Sequence, residues 1–254
     1  MHEKVASIVP VAHFHEVARD KYHMALSHLM EDKLYAGFFR RQSKLGAFVL
    51  LDNSVVETGQ PEAPETYLEK ARSIGASQVI ATDYPLGAVQ ENLEALARFL
   101  TLTRIEKYQG KVLAVPHGAT FQEWQECAVK MAKQGIDTIG ISRLDLDRGI
   151  YSTRGQAYRW LKHKLTGTRI NVHFLGCTHA PPGDLGSVLR ESQAQGIDSS
   201  IAALFTKYGH TLAPDAIRPS DWEPIDILND KYDETLLRTN LRIWRQLAIA
   251  FDEP

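Results

Sequence analysis

Two cysteines, Cys127 and Cys177, are all that the 254 residues contain. Two thiols supply neither a disulfide framework nor a four-cysteine zinc site, and such scarcity is expected of a chain kept in a reducing compartment. An excess of one charge is also missing: 29 Lys and Arg stand against 31 Asp and Glu, a formal net charge of -2. That excludes a global basic field of the kind that draws in nucleic acid non-specifically, so any contact with a polyanion must be local. No run approaches the roughly 18 apolar residues of a membrane span, and the opening MHEKVASIVPVAHFHE has no long apolar stretch after a basic segment. A cytoplasmic protein with no membrane partner is expected. The common nucleotide and nucleophile signatures are absent too: GxGxxG, GxxxxGK[ST] and GxSxG do not occur, and His13, His15, His23 and His28 show no HExxH or comparable spacing. These patterns give no expectation of a metal or a cofactor.

What is present is an ordinary globular composition, 44% apolar and 24% charged, enough for a sizeable core. The length allows one or two domains, since α/β barrels reach about 250 residues as a single unit. Short β-branched and apolar pulses recur at Ser7 to His13, Ala47 to Asn53, Gln78 to Asp83, Lys111 to His117, Thr138 to Arg143, Asn171 to Cys177 and Gly196 to Ile201. Tyr22 to Ser27 is a weaker eighth pulse that can equally open a helix. Between the later pulses lie helical spacings, such as Leu93, Leu96, Leu100 and Phe121, Trp124, Ala128, Met131. Gly75, Gly135 and Gly196 each follow a polar helical stretch, as left-handed caps leading into strands would. Strands alternating with helices imply a parallel sheet. About eight such units in about 250 residues fit an α/β fold of the closed (β/α)8 TIM-barrel type, with an open doubly wound sheet as the alternative. The expected organisation is a barrel catalytic domain over residues 1–211 and a short C-terminal helical extension, 212–254, packed on it.

In such a barrel the active site is built where strands finish. The residues ending the apolar runs are polar: Asp52 in LLDNS, Asp83 in VIATD, His117 in VLAVPHG, then Ser142 and Arg143, Cys177, and Asp198 in GIDSS. Each has a plain structural reading as well, because Asp after a strand often caps a helix or forms a turn, and a partly buried His often has no further role. Their coincidence across strands is what points to one functional mouth. The basic segment Arg154 to Arg169, with Tyr158 and Trp160 interleaved, reads first as a solvated helix face and second as a phosphate contact.

Taken in order, LLDNS, VIATDYP, VLAVPHGATFQEW, GIDTIGISRL, VHFLGCTHAPPGDL and GIDSS resemble the tRNA-guanine transglycosylase superfamily of (β/α)8 enzymes, over roughly Ser7 to Leu204. Members exchange guanine in a polynucleotide for a 7-deazaguanine, and similar phage and bacterial enzymes do so in DNA. The resemblance implies that Asp52 is the general acid/base, in the place of the family's Asp-Ser-Gly-Gly motif, although Asn53, Ser54 and Val55 follow here. It implies that Asp83 reads the guanine edge, that His117-Gly118 stands where a Gln-Gly contacts the base, and that Gly140 lies where a backbone glycine packs beside it. Two registers compete for the nucleophile. Counting from Gly196-Ile197-Asp198 places it at Ile201, whereas counting from Asp184-Leu185 brings Asp198 to within a residue of it and supplies a carboxylate. The family's zinc site of three cysteines and a histidine is missing, and its basic Pro-Thr-Arg stretch is replaced by Phe205-Thr206-Lys207, which favours DNA over tRNA.

The resemblance therefore implies a zinc-free pentosyltransferase working by retaining double displacement. Asp198 attacks C1′, Asp52 protonates the leaving guanine, Asp83 accepts from guanine N1–H and its 2-amino group, and His117 donates to O6 or to a deazaguanine substituent. Ser142 lies with them, and Arg143, Arg154 and Lys207 are the candidates for holding phosphates. The partners expected are guanine or a 7-deazaguanine base, a DNA or RNA polynucleotide, and a second copy of the chain in a homo-oligomer. Two rival readings remain: an N-glycoside hydrolase acting on a nucleoside or nucleotide, and a non-catalytic barrel subunit of a larger modification complex, which the Ile201 register would suit.

Overall fold

The computed structural model describes residues 4–177, 184–189, 194–213, 219 and 221–252. Eight parallel strands form one sheet: β1 (Val5–Ser7), β2 (Tyr22–Leu26), β3 (Phe48–Asp52), β4 (Gln78–Ile80), β5 (Lys111–Ala114), β6 (Thr138–Ser142), β7 (Asn171–Leu175) and β8 (Gly196–Ser199). Their order is β1-β8-β7-β6-β5-β4-β3-β2, and β1 also packs beside β2, so the sheet curls back on itself. Each strand after β1 lies next to its predecessor in sequence, with no switch point. The fold is therefore a nearly closed (β/α)8 barrel and not an open doubly wound sheet.

The helices are α1 (Phe14–Val17), α2 (Lys33–Lys44), α3 (Val55–Thr58), α4 (Pro64–Ile74), α5 (Val89–Ile105), α6 (Phe121–Ala132), α7 (Arg143–Asp147), α8 (Arg154–Lys164), α9 (Asp184–Leu189), α10 (Ile201–Lys207) and α11 (Glu234–Asp252). Their starts follow local chemistry. Asp32 accepts from Tyr35 N–H at 2.8 Å, Thr120 from Glu123 N–H and Thr153 from Gln156 N–H, each at 3.2 Å, and Pro64 begins α4. Gly75 and Gly135 adopt the left-handed conformation expected of them, at φ +65° and +89°. Gly196 does not: it is the first residue of β8, with no positive φ, and it serves a packing purpose described below. The first pulse is also displaced. The strand is Val5–Ser7, and Val11–His13 forms a 3₁₀ turn after Pro10, which has no N–H to give a ladder. Tyr22 to Ser27 is a strand, fully buried along Tyr22–Leu26.

Alternation along the strands sorts the core into two layers. Val49, Leu51, Val79, Ile139, Ile141 and Phe174 face the helices in the larger cluster, whereas Tyr22, Met24, Leu50, Ile80, Leu113 and Val115 fill the barrel interior. At the start of the strands the interior is polar but closed. Gln78 Nε2 donates to Thr138 Oγ1 at 2.8 Å, Thr138 Oγ1 to Gln195 Oε1 at 2.7 Å, and Gln195 Nε2 to Gln78 Oε1 at 2.7 Å.

The C-terminal segment returns to the barrel twice. Leu237, Leu241, Trp244 and Ala248 of α11 are fully buried, and α11 packs on α10, α9 and β1. Before α11, the chain from Pro224 to Leu228 reaches the carboxyl end of the strands, where Val11 N–H donates to the Ile227 carbonyl at 2.8 Å. Among the described residues no helix is long and apolar enough to cross a membrane.

Candidate active site

Because Phe48, Leu50 and Asp52 share one face of β3, and Gly196 and Asp198 one face of β8, the interior parity that packs the barrel delivers both carboxylates to its carboxyl end. A cavity of about 560 Å³ opens there, in the size range of small-molecule sites. Asp52, Asp83, His117, Ser142, Arg143 and Asp198 all line it, together with Asn53, Glu57, Gly176, Cys177 and Ile225–Leu228.

Asp52 is set in a tight turn. Ser54 N–H donates to Asp52 Oδ2 at 3.1 Å and Val55 N–H to Asn53 Oδ1 at 3.2 Å, which throws Ser54 into the left-handed region at φ +57°. A serine there costs roughly 1 kcal/mol that a glycine would not. Burial, followed by the neighbouring Glu57, Asp198 and Asp83, pushes the Asp52 carboxyl well above the usual carboxylate range. The shift favours the protonated form that a proton donor needs.

Asp198 is treated differently. Its Oδ1 lies 3.0 Å from His173 Nε2, and its Oδ2 accepts from Gly176 N–H at 3.0 Å, so both oxygens are held as acceptors. Ile201, the competing position for a nucleophile, is 1% exposed and belongs to the layer between strands and helices, not to the cavity wall.

The third group is a buried cluster of one imidazole and two carboxyl groups. His117 Nε2 lies 2.7 Å from Asp83 Oδ2, and its Nδ1 lies 3.0 Å from Asp145 Oδ2. Burial alone would lower the His117 pKa, but the hydrogen bonds and charges of Asp145 and Asp83 outweigh it and carry the imidazole up to about 9. His117 is thus an imidazolium clamped between carboxylates at neutral pH. Asn53 Nδ2 donates to Asp83 Oδ1 at 2.5 Å and to the Ala81 carbonyl at 2.9 Å, and Arg148 Nη1 lies 3.3 Å from Asp145 Oδ1. The expectation that His117 donates to a base is corrected here: both ring nitrogens are already committed. Asn53 and Asp145 were not among the sequence candidates. Asp145 follows a strand end by three residues, inside what reads as the first turn of a helix, and only the fold turns it inward.

Several other expectations change. Gly118 and Gly140 do not line the cavity. A Cβ on Gly118 would stand 2.6 Å from Trp124 N, and one on Gly140 would stand 2.8 Å from Leu175 Cδ1 and 2.9 Å from Leu113 Cδ2, so both are packing glycines. Ser142 caps α7, accepting from Leu144 N–H at 3.0 Å, while Arg143 pairs with Asp147 at 2.8 Å. Arg154 cannot hold a phosphate: it is fully buried, with Nε and Nη2 on Asp184 Oδ2 at 2.9 and 2.7 Å. Lys207 donates to the Pro224 carbonyl at 2.7 Å and lies 3.6 Å from Asp230, so it anchors the C-terminal segment. The stretch Thr178 to Gly183 of the VHFLGCTHAPPGDL segment lies outside the described residues.

The charge of the wall is also the reverse of a polyanion grip. Asp52, Glu57, Asp83, Asp147, Asp198 and Asp226 line it against Arg143 and the clamped His117. Cys127 and Cys177 are buried thiols, pushed up to about 11 and about 12 mainly by burial, so both stay protonated at neutral pH. Among the described residues, the three side chains near enough to share an ion are His15, Glu16 and Glu234, outside the cavity, where Glu16 already holds Arg238 at 2.6 Å.

No family model and no curated protein matches the chain by sequence. Solved structures do match by shape. Active domain 2 of a thermostable chitinase from Pyrococcus furiosus superposes with a TM-score of 0.54 at 12% identity, covering 100% of this chain and 97% of that one. A 2,3-dimethylmalate lyase of the PEP mutase/isocitrate lyase superfamily gives 0.51 at 10% identity, covering 97% and 92%. At such identities the likeness establishes the barrel and nothing of the chemistry, which the site residues alone can argue.

Proposed function

We propose that the protein is a base-exchange transglycosylase that replaces guanine with a 7-deazaguanine in a polynucleotide, DNA in preference to tRNA, through a retaining double displacement. One observation carries the reading: two inward carboxylates from different strands reach one cavity with opposite characters. Asp52 is driven towards its protonated form, while Asp198 is fixed as an acceptor by a ring nitrogen and a backbone N–H. One carboxyl group favoured in its protonated form beside a second held by donors is the pairing that acid-assisted glycosidic cleavage uses.

Asp198 attacks C1′ as the C1′–N9 bond breaks, and Asp52 gives its proton to the departing guanine. Asp52 then takes a proton from the incoming base, whose nitrogen displaces Asp198 from C1′. Reaching C1′ requires a flipped or single-stranded nucleotide. Asp83 retains one acceptor site on each oxygen after Asn53 and His117 are served, which suits the N1–H and 2-amino edge of guanine. His117 supports that role from behind, as the cation that keeps Asp83 in place.

The acidic wall favours one alternative, an N-glycoside hydrolase acting on a nucleoside, which needs no grip on a phosphate chain. A single experiment separates the two. The protein is incubated with guanine-containing DNA, tRNA and free nucleosides plus radiolabelled guanine or a 7-deazaguanine, and incorporation is scored against base release. Label entering DNA is expected; release without incorporation transfers the assignment to the hydrolase. Asp198→Asn should abolish either reaction while the circular dichroism spectrum stays that of the parent. A folded Asp198→Asn protein that works at the parental rate overturns the nucleophile assignment.

A further inference from the structure

Behind Asp198 the barrel interior contains a directed file of hydrogen bonds. Tyr22 OH lies 3.0 Å from His173 Nδ1, and His173 Nε2 lies 3.0 Å from Asp198 Oδ1. Tyr22 is 2% exposed and His173 fully buried, so neither exchanges partners with water. The direction of the file follows from its near end. A carboxylate oxygen can only accept, so the ring nitrogen facing Asp198 Oδ1, Nε2, is the one that carries the proton. Nδ1 is then the accepting nitrogen, and the Tyr22 hydroxyl donates to it.

Two packing facts show that the file is built in. Tyr22 is stacked between Phe48, with centroids 4.9 Å apart and planes 9° apart, and His173, at 5.8 Å and 13°. Gly196 makes the space for it: a Cβ there would stand 2.6 Å from Tyr22 Cζ and 3.0 Å from His173 Nδ1. No other residue type fits that position while phenol and imidazole meet.

We propose that Tyr22 and His173 are positioning residues for Asp198: the file from the barrel floor fixes the His173 tautomer and holds one carboxylate oxygen, leaving the remaining lone pairs of Asp198 directed into the cavity. The catalytic part of this inference rests on Asp198 being the nucleophile of the proposed reaction; the structural part does not. Gly176 N–H holds the other oxygen, so loss of the file leaves Asp198 anchored on one side and free to rotate about the other.

The test uses Tyr22→Phe, which removes one oxygen and keeps the stack, and His173→Gln, with Asp198→Asn to assign the carboxyl signal. The carbon-13 carboxyl resonance of Asp198 is titrated first. The other ionisable groups that act on it, Asp52 on β3 and Cys177 after β7, are unchanged in these variants. A donor that is no longer held in place raises the Asp198 midpoint by several tenths of a pH unit in Tyr22→Phe, and replacing that donor in His173→Gln raises it more. In the exchange assay, kcat falls about tenfold for Tyr22→Phe with KM unchanged, the size of one lost hydrogen bond realised in the transition state. A folded Tyr22→Phe protein with the parental Asp198 midpoint and the parental kcat overturns the proposal. If the parent itself neither exchanges nor releases a base, the functional reading fails, and the titration still decides whether the file acts on Asp198.

Discussion

Two histidines sit inside the same barrel, His117 after β5 and His173 in β7, both buried and both hydrogen-bonded at each ring nitrogen to side chains. They differ in what stands on the second side. His117 has a carboxylate on each nitrogen, Asp83 and Asp145, and is carried up to about 9 against the pull of burial, so it works as a buried cation. His173 has a carboxylate on one nitrogen and a phenol on the other, and works as a link that transmits orientation from the barrel floor to Asp198. One extra negative charge converts a hydrogen-bond relay into an electrostatic clamp. The clamp holds the proposed base-reading wall, the relay the proposed nucleophile.

Deleting the cation should have the largest effect. His117→Gln leaves Asp83 and Asp145 as buried carboxylates with only Asn53 and Arg148 in support, and should destabilise the fold by about 3–5 kcal/mol in urea denaturation at pH 7. The loss should shrink at pH 5, where the uncompensated carboxylates can take up protons. His173→Gln breaks hydrogen bonds without stranding a like-charged pair, and should cost about 1–3 kcal/mol. Equal losses for the two variants at pH 7 would erase the distinction between clamp and relay.

The pH dependence of stability sharpens the comparison. The folded pKa of His117, about 9, lies above the ordinary value of 6.5, so its contribution is complete below pH 6.5 and is lost as the pH rises through 9. The urea midpoint of the parent should fall between pH 6 and 9.5. The buried thiols Cys127 and Cys177 add a decline above about pH 8.5 that every variant shares. His117→Gln should therefore remove the part of the decline between pH 6.5 and 8.5 that His173→Gln retains. A His117→Gln protein with the parental slope in that window would show that His117 is not the buried cation.

The barrel was legible in the sequence because its signals are local: eight apolar pulses, polar helical spacing between them and glycine caps such as Gly75 and Gly135. The polar strand ends were legible for a related reason, since a residue that terminates an apolar run stands at the mouth wherever the run is a barrel strand. Pairings across the barrel were not. Asp145 and His117 are 28 residues apart, and Tyr22 and His173 are 151 apart. Nothing in either neighbourhood names the partner; Tyr22 reads as the apolar start of a doubtful strand, and Gly196 as a helix cap. Its true purpose, space for two rings, exists only once β2, β7 and β8 face one another across the barrel interior. Arg154 shows the same limit in reverse, a basic residue in a basic segment whose charge is spent on Asp184 inside the fold.

The smallest effect is expected where one network is edited to imitate the other. Asp145→Asn keeps the shape of the side chain but leaves His117 with one carboxylate, Asp83, and a neutral partner on Nδ1, the arrangement His173 already has. Hydrogen bonding at both nitrogens survives, so the cost in stability at pH 6 should stay near 1 kcal/mol. The imidazole should nevertheless lose much of what raises it, and its midpoint, followed by the ring C–H proton resonance, should fall from about 9 towards 6.5. Arg148, 3.3 Å from Asp145 in the parent, loses its ion pair there but keeps the Pro85 carbonyl at 2.6 Å, which limits any movement of the loop. A midpoint that stays near 9 in Asp145→Asn would mean that Asp83 alone makes His117 a cation. The difference between the two histidines would then lie in the carboxylate they share a bond with, and not in the second one.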